Sequence, residues 1–149
     1  MKKKAIIISI KGSRLTPKEK LLLAKERPWG LILFKRNIKS SIQTKKLIKS
    51  IRNYVKDKKF PILIDEEGFS VSRLKDLINH NIDANYFGSL YKLNKKIAVN
   101  LYKSYLRNLS DKLKKLGINI NTIPVLDILR QKTNSVIGNR SFSDNKRIV

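Results

Sequence analysis

The segment FPILIDEEGFSVSRL, residues 60–74, decides the fold, because its apolar start ends abruptly in three acidic residues and a glycine. Residues 61–64 are typical of a short buried strand. In parallel α/β proteins, the chemistry collects at the carboxyl ends of the strands. We therefore expect the acidic cluster Asp65, Glu66 and Glu67 to lie at the functional edge of a parallel sheet.

The rest of the chain continues an alternation of strands and helices on both sides of this segment. Apolar, β-branched runs predict four strands: residues 5–10, 30–34, 61–64 and 118–123. Capping residues and helical spacing predict helices at 17–26, after Ser40 or Ser41, near 84–89 and at 92–116. This order is the rhythm of β/α units in a parallel sheet, and solid apolar strands indicate a sheet covered on both faces. We predict one α/β domain, residues 1–149.

Specific end signals accompany two of the predicted helices. Thr16, Pro17 and Glu19 form the pattern of a capping box with proline at the first helical position. Gly117 is the expected C-cap of the long helix. Apolar residues at helical spacing form one stripe along that predicted helix: Leu93, Ile97, Leu101, Tyr105, Leu109, Leu113 and Leu116.

The net charge of +23 comes from 34 basic and 11 acidic residues. Such a charge can indicate a nucleic-acid or membrane-surface partner. Here lysine dominates over arginine, is scattered over every predicted helix, and accompanies many isoleucines and asparagines, as an AT-rich gene would encode. We favour that compositional interpretation, and we expect neither a membrane nor a nucleic-acid partner.

The residue inventory excludes several kinds of site. The chain has no cysteine and a single histidine, His80, so disulfides, thiolate metal sites and sites with two imidazoles are excluded. The apolar runs are far shorter than the roughly 20 residues that span a bilayer, and we expect a cytoplasmic protein. We expect no metal and no cofactor, because Asp-Glu-Glu alone is not a specific metal signature.

Polar residues follow several strands or lie in the polar tail: Asp65, Asp127 and Arg140 are the most prominent. A carboxylate at such a place could hold sugar hydroxyls, a metal or an arginine. The structural alternative is that Asp65 pairs with Arg140 and ties two loops together. Spacing alone leaves both interpretations open.

Four blocks together resemble a known family: LILFKRNI (31–38), ILIDEEGFSVSRL (62–74), LGININTIPVLDI (116–128) and VIGNRSF (136–142). In order and spacing they resemble the amino-terminal half of glycoside hydrolase family three, of the bacterial β-N-acetylglucosaminidase (β-hexosaminidase) type. The resemblance implies a (β/α)₈ TIM-type barrel, of which this chain would be the incomplete first part. It also implies retaining hydrolysis of terminal β-linked N-acetylglucosamine, as in cell-wall recycling, and therefore a carbohydrate partner.

The resemblance also implies roles for individual residues. Asp65 would bind sugar hydroxyls, and Arg73 and Arg140 would be further substrate contacts. Asp127 and Glu67 would line the pocket or have structural roles. The family's nucleophile and acid/base residues lie downstream of the matching blocks, so we expect no catalytic residue in this chain. His80 lies outside every block, and we expect it at the surface.

Two departures from the family pattern modify these expectations. Phe69 and Ser70 follow Gly68 where the family has a second glycine and an arginine, so we expect an altered turn. A complete barrel needs about 250 residues, so a second polypeptide could complete this one. The alternatives are an inactive remnant or a sugar-binding module, and, third, a basic nucleic-acid-binding protein. Alone, the chain should be poorly stable or self-associating.

Overall fold

The computed structural model describes residues 3–131 and 134–149. The strands are β1 (Lys4–Ile8), β2 (Pro28–Leu33), β3 (Ile62–Ile64) and β4 (Ile120–Asn121). The α-helices are α1 (Pro17–Glu26), α2 (Ser41–Val55), α3 (Ala84–Leu93) and α4 (Lys95–Leu116). Short 3₁₀ helices cover Lys35–Asn37 and Gly138–Arg140. The predicted alternation of strands and helices, and with it the α/β class, is confirmed.

The four strands form one parallel sheet in the order β1-β2-β3-β4. Leu31 pairs with Ile62 in β3, and Ile64 pairs with Asn121 in β4. Leu31 and Leu33 of β2 and all three residues of β3 are buried, as expected for central strands of a parallel sheet, whereas Trp29 of β2 is exposed. The carboxyl end of β3 therefore leads directly into the acidic segment that begins at Asp65.

The chain divides into two compact units. The first comprises the chain up to Asp65 together with Leu113–Asn121, and it holds the parallel sheet with α1 and α2. The second comprises Glu66–Lys112 and Thr122–Val149. The prediction of a single domain over residues 1–149 stays a prediction.

The predicted helix starts are confirmed at α1 and α2. The Thr16 hydroxyl accepts a hydrogen bond from the Glu19 N–H, and the Glu19 side chain accepts one from the Thr16 N–H, which completes the capping box. Ser40 caps α2 by accepting a hydrogen bond from the Gln43 N–H at 3.2 Å. These local pairs follow from residue spacing alone, which is why the sequence predicted them.

The predicted helix at 92–116 begins slightly later than expected, at Lys95, and the short helix predicted near 84–89 extends to Leu93 as α3. Asn94 has extended backbone angles and ends α3, and its side-chain oxygen accepts a hydrogen bond from the Ile97 N–H at the start of α4. The apolar stripe is buried only in its later part: Leu93 is 84% exposed, whereas Leu109 and Leu113 are buried. The break at Asn94 places Leu93 on a separate helix, and Ile97 and Leu101 in the first half of α4 are also exposed, so the stripe is not one continuous buried face.

Strand β1 ends two residues earlier than predicted and β4 begins two residues later, and side chains bond to main-chain groups near both places. The Ile62 N–H donates to the side chain of Asn119 at 2.7 Å, and β4 begins only at Ile120. Beyond β1, the Asn37 side chain donates to the Ile10 and Gly12 carbonyls at 3.0 and 2.9 Å. These main-chain groups are therefore satisfied without a strand partner.

Candidate functional site

The segment after β3 folds back on itself as a tight loop. The N–H groups of Glu67 and Gly68 both donate to the Val71 carbonyl, at 2.8 and 3.2 Å. Asp65 directly follows β3 and is half-buried. It is the last residue of the first unit before the chain enters the second unit at Glu66. Phe69 and Ser70 form the exposed tip of the loop. The acidic cluster thus continues from the end of a parallel strand, as the sequence predicted.

Phe69 and Ser70 are accommodated without left-handed backbone. The only non-glycine residues with positive φ in the described part of the chain are Arg27 and Lys56, so Phe69 does not need the freedom of a glycine. The Ser70 N–H and hydroxyl both donate to the Asp83 carboxylate, at 2.8 and 2.5 Å. Asp83 therefore anchors the tip of this loop.

Glu66 is fully buried and organises the loop from within. One carboxylate oxygen accepts hydrogen bonds from the Arg73 and Leu74 N–H groups at 2.8 and 3.0 Å. The other accepts from the Ser72 hydroxyl and lies 2.7 Å from the His80 Nε2. Glu66 thereby fixes the main chain at Arg73, whose own side chain is half-buried.

The prediction that His80 lies at the surface is wrong. His80 is only 8% exposed, and its Nε2 lies within hydrogen-bond distance of a Glu66 carboxylate oxygen. Its Nδ1 lies 3.1 Å from the hydroxyl of Tyr105. Sequence patterns missed this pair because its partners are 14 residues apart and are joined by irregular chain, although the apolar neighbours Leu77 and Ile78 gave a hint of burial.

An aromatic cluster of Phe87, Tyr102 and Tyr105 contacts His80 through Tyr105. Phe87 packs against Tyr102 and Tyr105, with ring centroids 4.8 and 5.4 Å apart. Burial raises the pKa of Tyr102 to about 12. Burial, with a contribution from the charge of Glu66, also raises the pKa of Tyr105 to about 12. Both phenols keep their protons near neutral pH, so the Tyr105 hydroxyl can donate to His80 when Nε2–H donates to Glu66.

Glu67 and Arg140 form a two-pronged ion pair. The Arg140 Nε donates to one carboxylate oxygen at 2.7 Å, and its Nη2 donates to the other at 2.9 Å. Both side chains are mostly buried. The space beside this pair, which Phe87 and Phe142 help to line, has a volume of only about 10 Å³. The pair holds the Arg140 guanidinium in place.

The remaining candidates occupy different places. The exposed Asp127 contributes its carbonyl, which accepts a hydrogen bond from the Ser141 hydroxyl at 2.6 Å. Asp127 thereby anchors the segment that follows Arg140. Asp65 belongs to the first unit, whereas Arg73 and Arg140 belong to the second. The roles that the resemblance assigns to Asp65, Arg73 and Arg140 stay predictions.

Residues 3–131 and 134–149 contain no group of three or more His, Cys, Asp or Glu side chains able to hold a metal ion. None of the described helices is long and apolar enough to cross a membrane.

Proteins of known sequence are similar to almost the whole of this chain. A family model described as the glycosyl hydrolase family 3 N terminal domain matches residues 3–149. A beta-hexosaminidase from Xanthomonas campestris pv. campestris (strain B100) is 28% identical over 144 residues, 97% of this chain and 43% of that protein. A beta-hexosaminidase from Stenotrophomonas maltophilia (strain R551-3) is also 28% identical, over 97% of this chain and 42% of that protein. The chain spans less than half the length of these curated relatives.

Solved structures share the fold. NagZ from Neisseria gonorrhoeae in complex with zinc ion superposes with a TM-score of 0.89 at 30% identity, over 98% of this chain and 44% of that chain. The same protein in complex with N-trifluoroacetyl-D-glucosamine gives a TM-score of 0.89 at 29% identity, over 98% of this chain and 43% of that chain. The predicted fold, parallel β/α units that form the first part of a barrel, is thereby confirmed.

Proposed function

The chain belongs to glycosyl hydrolase family 3, and on that premise we propose that it supplies substrate-binding residues to a retaining β-N-acetylglucosaminidase. The substrate would be a glycan that ends in β-linked N-acetylglucosamine, encountered in cell-wall recycling in the cytoplasm. The names of the relatives support the reaction class, and the glucosamine derivative bound by a structural neighbour supports the sugar.

The observation that carries the proposal is the order imposed on the segment after β3. Glu66 fixes the main chain at Arg73, and Glu67 fixes the guanidinium of Arg140. A neutral sugar offers hydroxyl groups, and ionised donors and acceptors make the stronger hydrogen bonds to them. Asp65 would accept from sugar hydroxyls, while Arg73 and Arg140 would donate to them.

This chain would bind and orient the sugar, and the bond-breaking groups would come from elsewhere in the barrel. Retaining glycosidases need two groups about 5–5.5 Å apart, one as nucleophile and one as acid/base. The relatives are more than twice as long as the segment they share with this chain. In the proposal, a longer chain or a second polypeptide supplies that pair.

A sugar-binding role without turnover is a second candidate for this chain acting alone, because the two glutamates that follow β3 are already engaged. Glu66 is engaged by four donors, and Glu67 is engaged by Arg140. Neither carboxylate is therefore available as a nucleophile. Release of 4-nitrophenol from its β-N-acetylglucosaminide, measured beside binding, distinguishes the two candidates, because a binding module gives affinity without release.

The test is a titration of the isotope-labelled chain with N-acetylglucosamine, followed by NMR. We expect saturable shifts of amide signals near Asp65 and Arg73, weakened about tenfold or more by Asp65→Asn, since a lost charge-assisted hydrogen bond is worth roughly 1.5–3 kcal/mol. Asp76→Asn, at an exposed position of the following segment, is the matched control and should leave affinity unchanged. Absence of saturable shifts in the unaltered chain would remove both sugar-dependent candidates.

A further inference from the structure

A basic cleft lies in the first unit, between α2 and the chain around the end of α4. It has a volume of about 420 Å³ and is lined by ten residues. Six of the ten are cationic: Lys45, Lys49, Arg52, Lys58, Lys114 and Lys115. None of the ten is acidic. The cleft therefore concentrates positive charge in a concave space.

Overall composition does not account for this concentration. Lysine and arginine make up 34 of the 149 residues, so about two cations are expected among any ten residues. The cleft has six. Lys45 and Lys49 also lie one turn apart on α2, a spacing at which like charges repel and destabilise a helix. An anion bound between them would remove that cost.

The walls of the cleft are fixed by direct packing. Gly117 ends α4 with a φ of +94°, and a Cβ at this position would lie 3.1 Å from the Ile48 Cγ2. The Arg52 Nη2 donates to the Gly117 carbonyl at 2.8 Å, which joins α2 to the chain that follows α4. The packing of Gly117 on Ile48 and the hydrogen bond from Arg52 therefore hold two walls of the cleft together.

Arg52 adds a charge that is held partly out of water. Its Nε is buried and has no hydrogen-bond partner. Burial lowers the pKa of Arg52, and the nearby charge of Asp57 only partly opposes this. Asp57 itself accepts a hydrogen bond from Lys3 at 2.7 Å. A partly desolvated guanidinium gains from a bound anion, because Coulomb attraction is stronger where water is excluded.

We propose that this cleft binds a small anion that carries several phosphate groups. Its volume falls within the range of about 300–1,000 Å³ found for small-molecule sites. Lysine binds phosphate as a mobile point charge, and each phosphate group carries a charge of about −1.5 to −2 near neutral pH. Several phosphates on one ligand would match the six cations, whereas a single phosphate would engage only some of them.

The test uses tripolyphosphate and inorganic phosphate as probes, titrated calorimetrically into the full chain. Lys49→Glu/Lys115→Glu reverses two charges of the cleft. Lys18→Glu/Lys25→Glu changes the net charge equally at two exposed positions of α1, outside the cleft. We expect tripolyphosphate to bind more tightly than phosphate, with affinity reduced about tenfold or more in the cleft variant and less than about threefold in the control.

Three outcomes would overturn the proposal. No binding of tripolyphosphate would remove the site, and an equal loss in both double variants would reduce it to general attraction by the net charge. Tighter binding of a single-stranded oligonucleotide than of tripolyphosphate would replace the small ligand by nucleic acid. Should circular dichroism show the charge reversals to be unfolded, Lys49→Gln/Lys115→Gln makes the same comparison with a milder change.

Discussion

At the scale of single residues, the main feature is the two adjacent carboxylates after β3, Glu66 and Glu67, which are shielded from solvent. Glu66 accepts hydrogen bonds from two main-chain N–H groups, a hydroxyl and an imidazole while wholly shielded from solvent. The next residue, Glu67, is engaged by a guanidinium. Two adjacent carboxylates thus shape one loop through different partners, and each can be tested alone.

Replacing Glu66 by alanine should be strongly destabilising. The change leaves the buried His80 and two main-chain N–H groups without their acceptor, a loss of about 3–5 kcal/mol. The free energy of unfolding in urea measures it. Glu66→Gln keeps an acceptor and should lose less, and Asp76→Ala, at an exposed position, should change stability by less than about 0.5 kcal/mol. Equal losses in Glu66→Ala and Asp76→Ala would contradict this account of Glu66.

The Glu67–Arg140 pair should show measurable coupling. Two-pronged carboxylate–guanidinium pairs that are largely shielded from water exceed the strength of surface ion pairs. We expect a double-mutant cycle with Glu67→Ala and Arg140→Ala to give a coupling energy of about 1–2 kcal/mol in urea unfolding. The exposed pair Lys92–Asp144 is the matched control, for which we expect less than about 0.5 kcal/mol. Additive effects in the first cycle would show that the pair contributes no net stability.

At the scale of elements, helix ends are where sequence and structure agree most closely. The capping box of α1, the serine cap of α2 and the glycine after α4 were all predicted from local spacing. Local spacing placed the break between α3 and α4 near residues 90 and 91, whereas α3 continues to Leu93 and the break lies at Asn94. Two ends lend themselves to measurement.

The start of α1 should make stability depend on acid pH. Burial opposes ionisation of Glu19, but hydrogen bonds from the Lys11 N–H and from the N–H and hydroxyl of Thr16 outweigh it and lower the pKa of Glu19. A lowered carboxyl pKa contributes stability that is fully present above its unfolded value and is lost as the pH falls through the folded value. The stability difference between the unaltered chain and Glu19→Gln should therefore be constant above pH 4.5, the ordinary value, and shrink below it. A difference that stays constant below that pH would contradict the lowered pKa.

The end of α4 should not tolerate a side chain. Gly117→Ala would combine positive φ with a Cβ only 3.1 Å from Ile48, so we expect a loss of about 2–3 kcal/mol in urea unfolding. Gly138→Ala is the matched control, since Gly138 has a φ of +40° but nothing within 4 Å of an added Cβ. We expect about 1 kcal/mol there. Equal losses would mean that strain alone, without the contact to Ile48, sets the cost.

At the scale of the whole molecule, the sheet is open and β1 is one of its edges. Ile6 and Ile7 on that strand are half exposed. An exposed edge with apolar side chains is a template for pairing with another chain. The chain carries this liability despite its high net charge.

A charge on this edge should reduce self-association. We expect Ile7→Lys to lower the weight-average mass in sedimentation at matched concentration, because lysine on an edge strand opposes strand pairing. Leu21→Lys removes an exposed aliphatic side chain from α1, away from the edge, and should have a smaller effect. A monomeric unaltered chain at all concentrations would refute the expectation that it associates.

The order of strands and helices could be predicted from the sequence, but the side-chain pairs that hold the loop after β3 could not. Apolar runs and caps located the strands and helices, because those signals are local. The burial of His80 and its pairing with Glu66 depend on how irregular chain turns between residues 66 and 80, which no periodicity encodes. Arg140 and Glu67 were both identified as candidates, but their pairing, across 73 residues of sequence, came only from the structure.

The division of the chain into two interleaved units has a consequence for synthesis on the ribosome. The first unit needs Leu113–Asn121, yet Glu66–Lys112, which belong to the second unit, emerge before it. The second unit in turn needs the final segment, where the Phe142 carbonyl lies so close to Gly88 that any side chain there would collide with it. Neither unit can therefore be completed before most of the chain has been translated. During synthesis, β1, β2 and β3 emerge well before β4, so the edge of β3 stays unpaired until β4 has been translated. The nascent chain should be most accessible to chaperones in that interval.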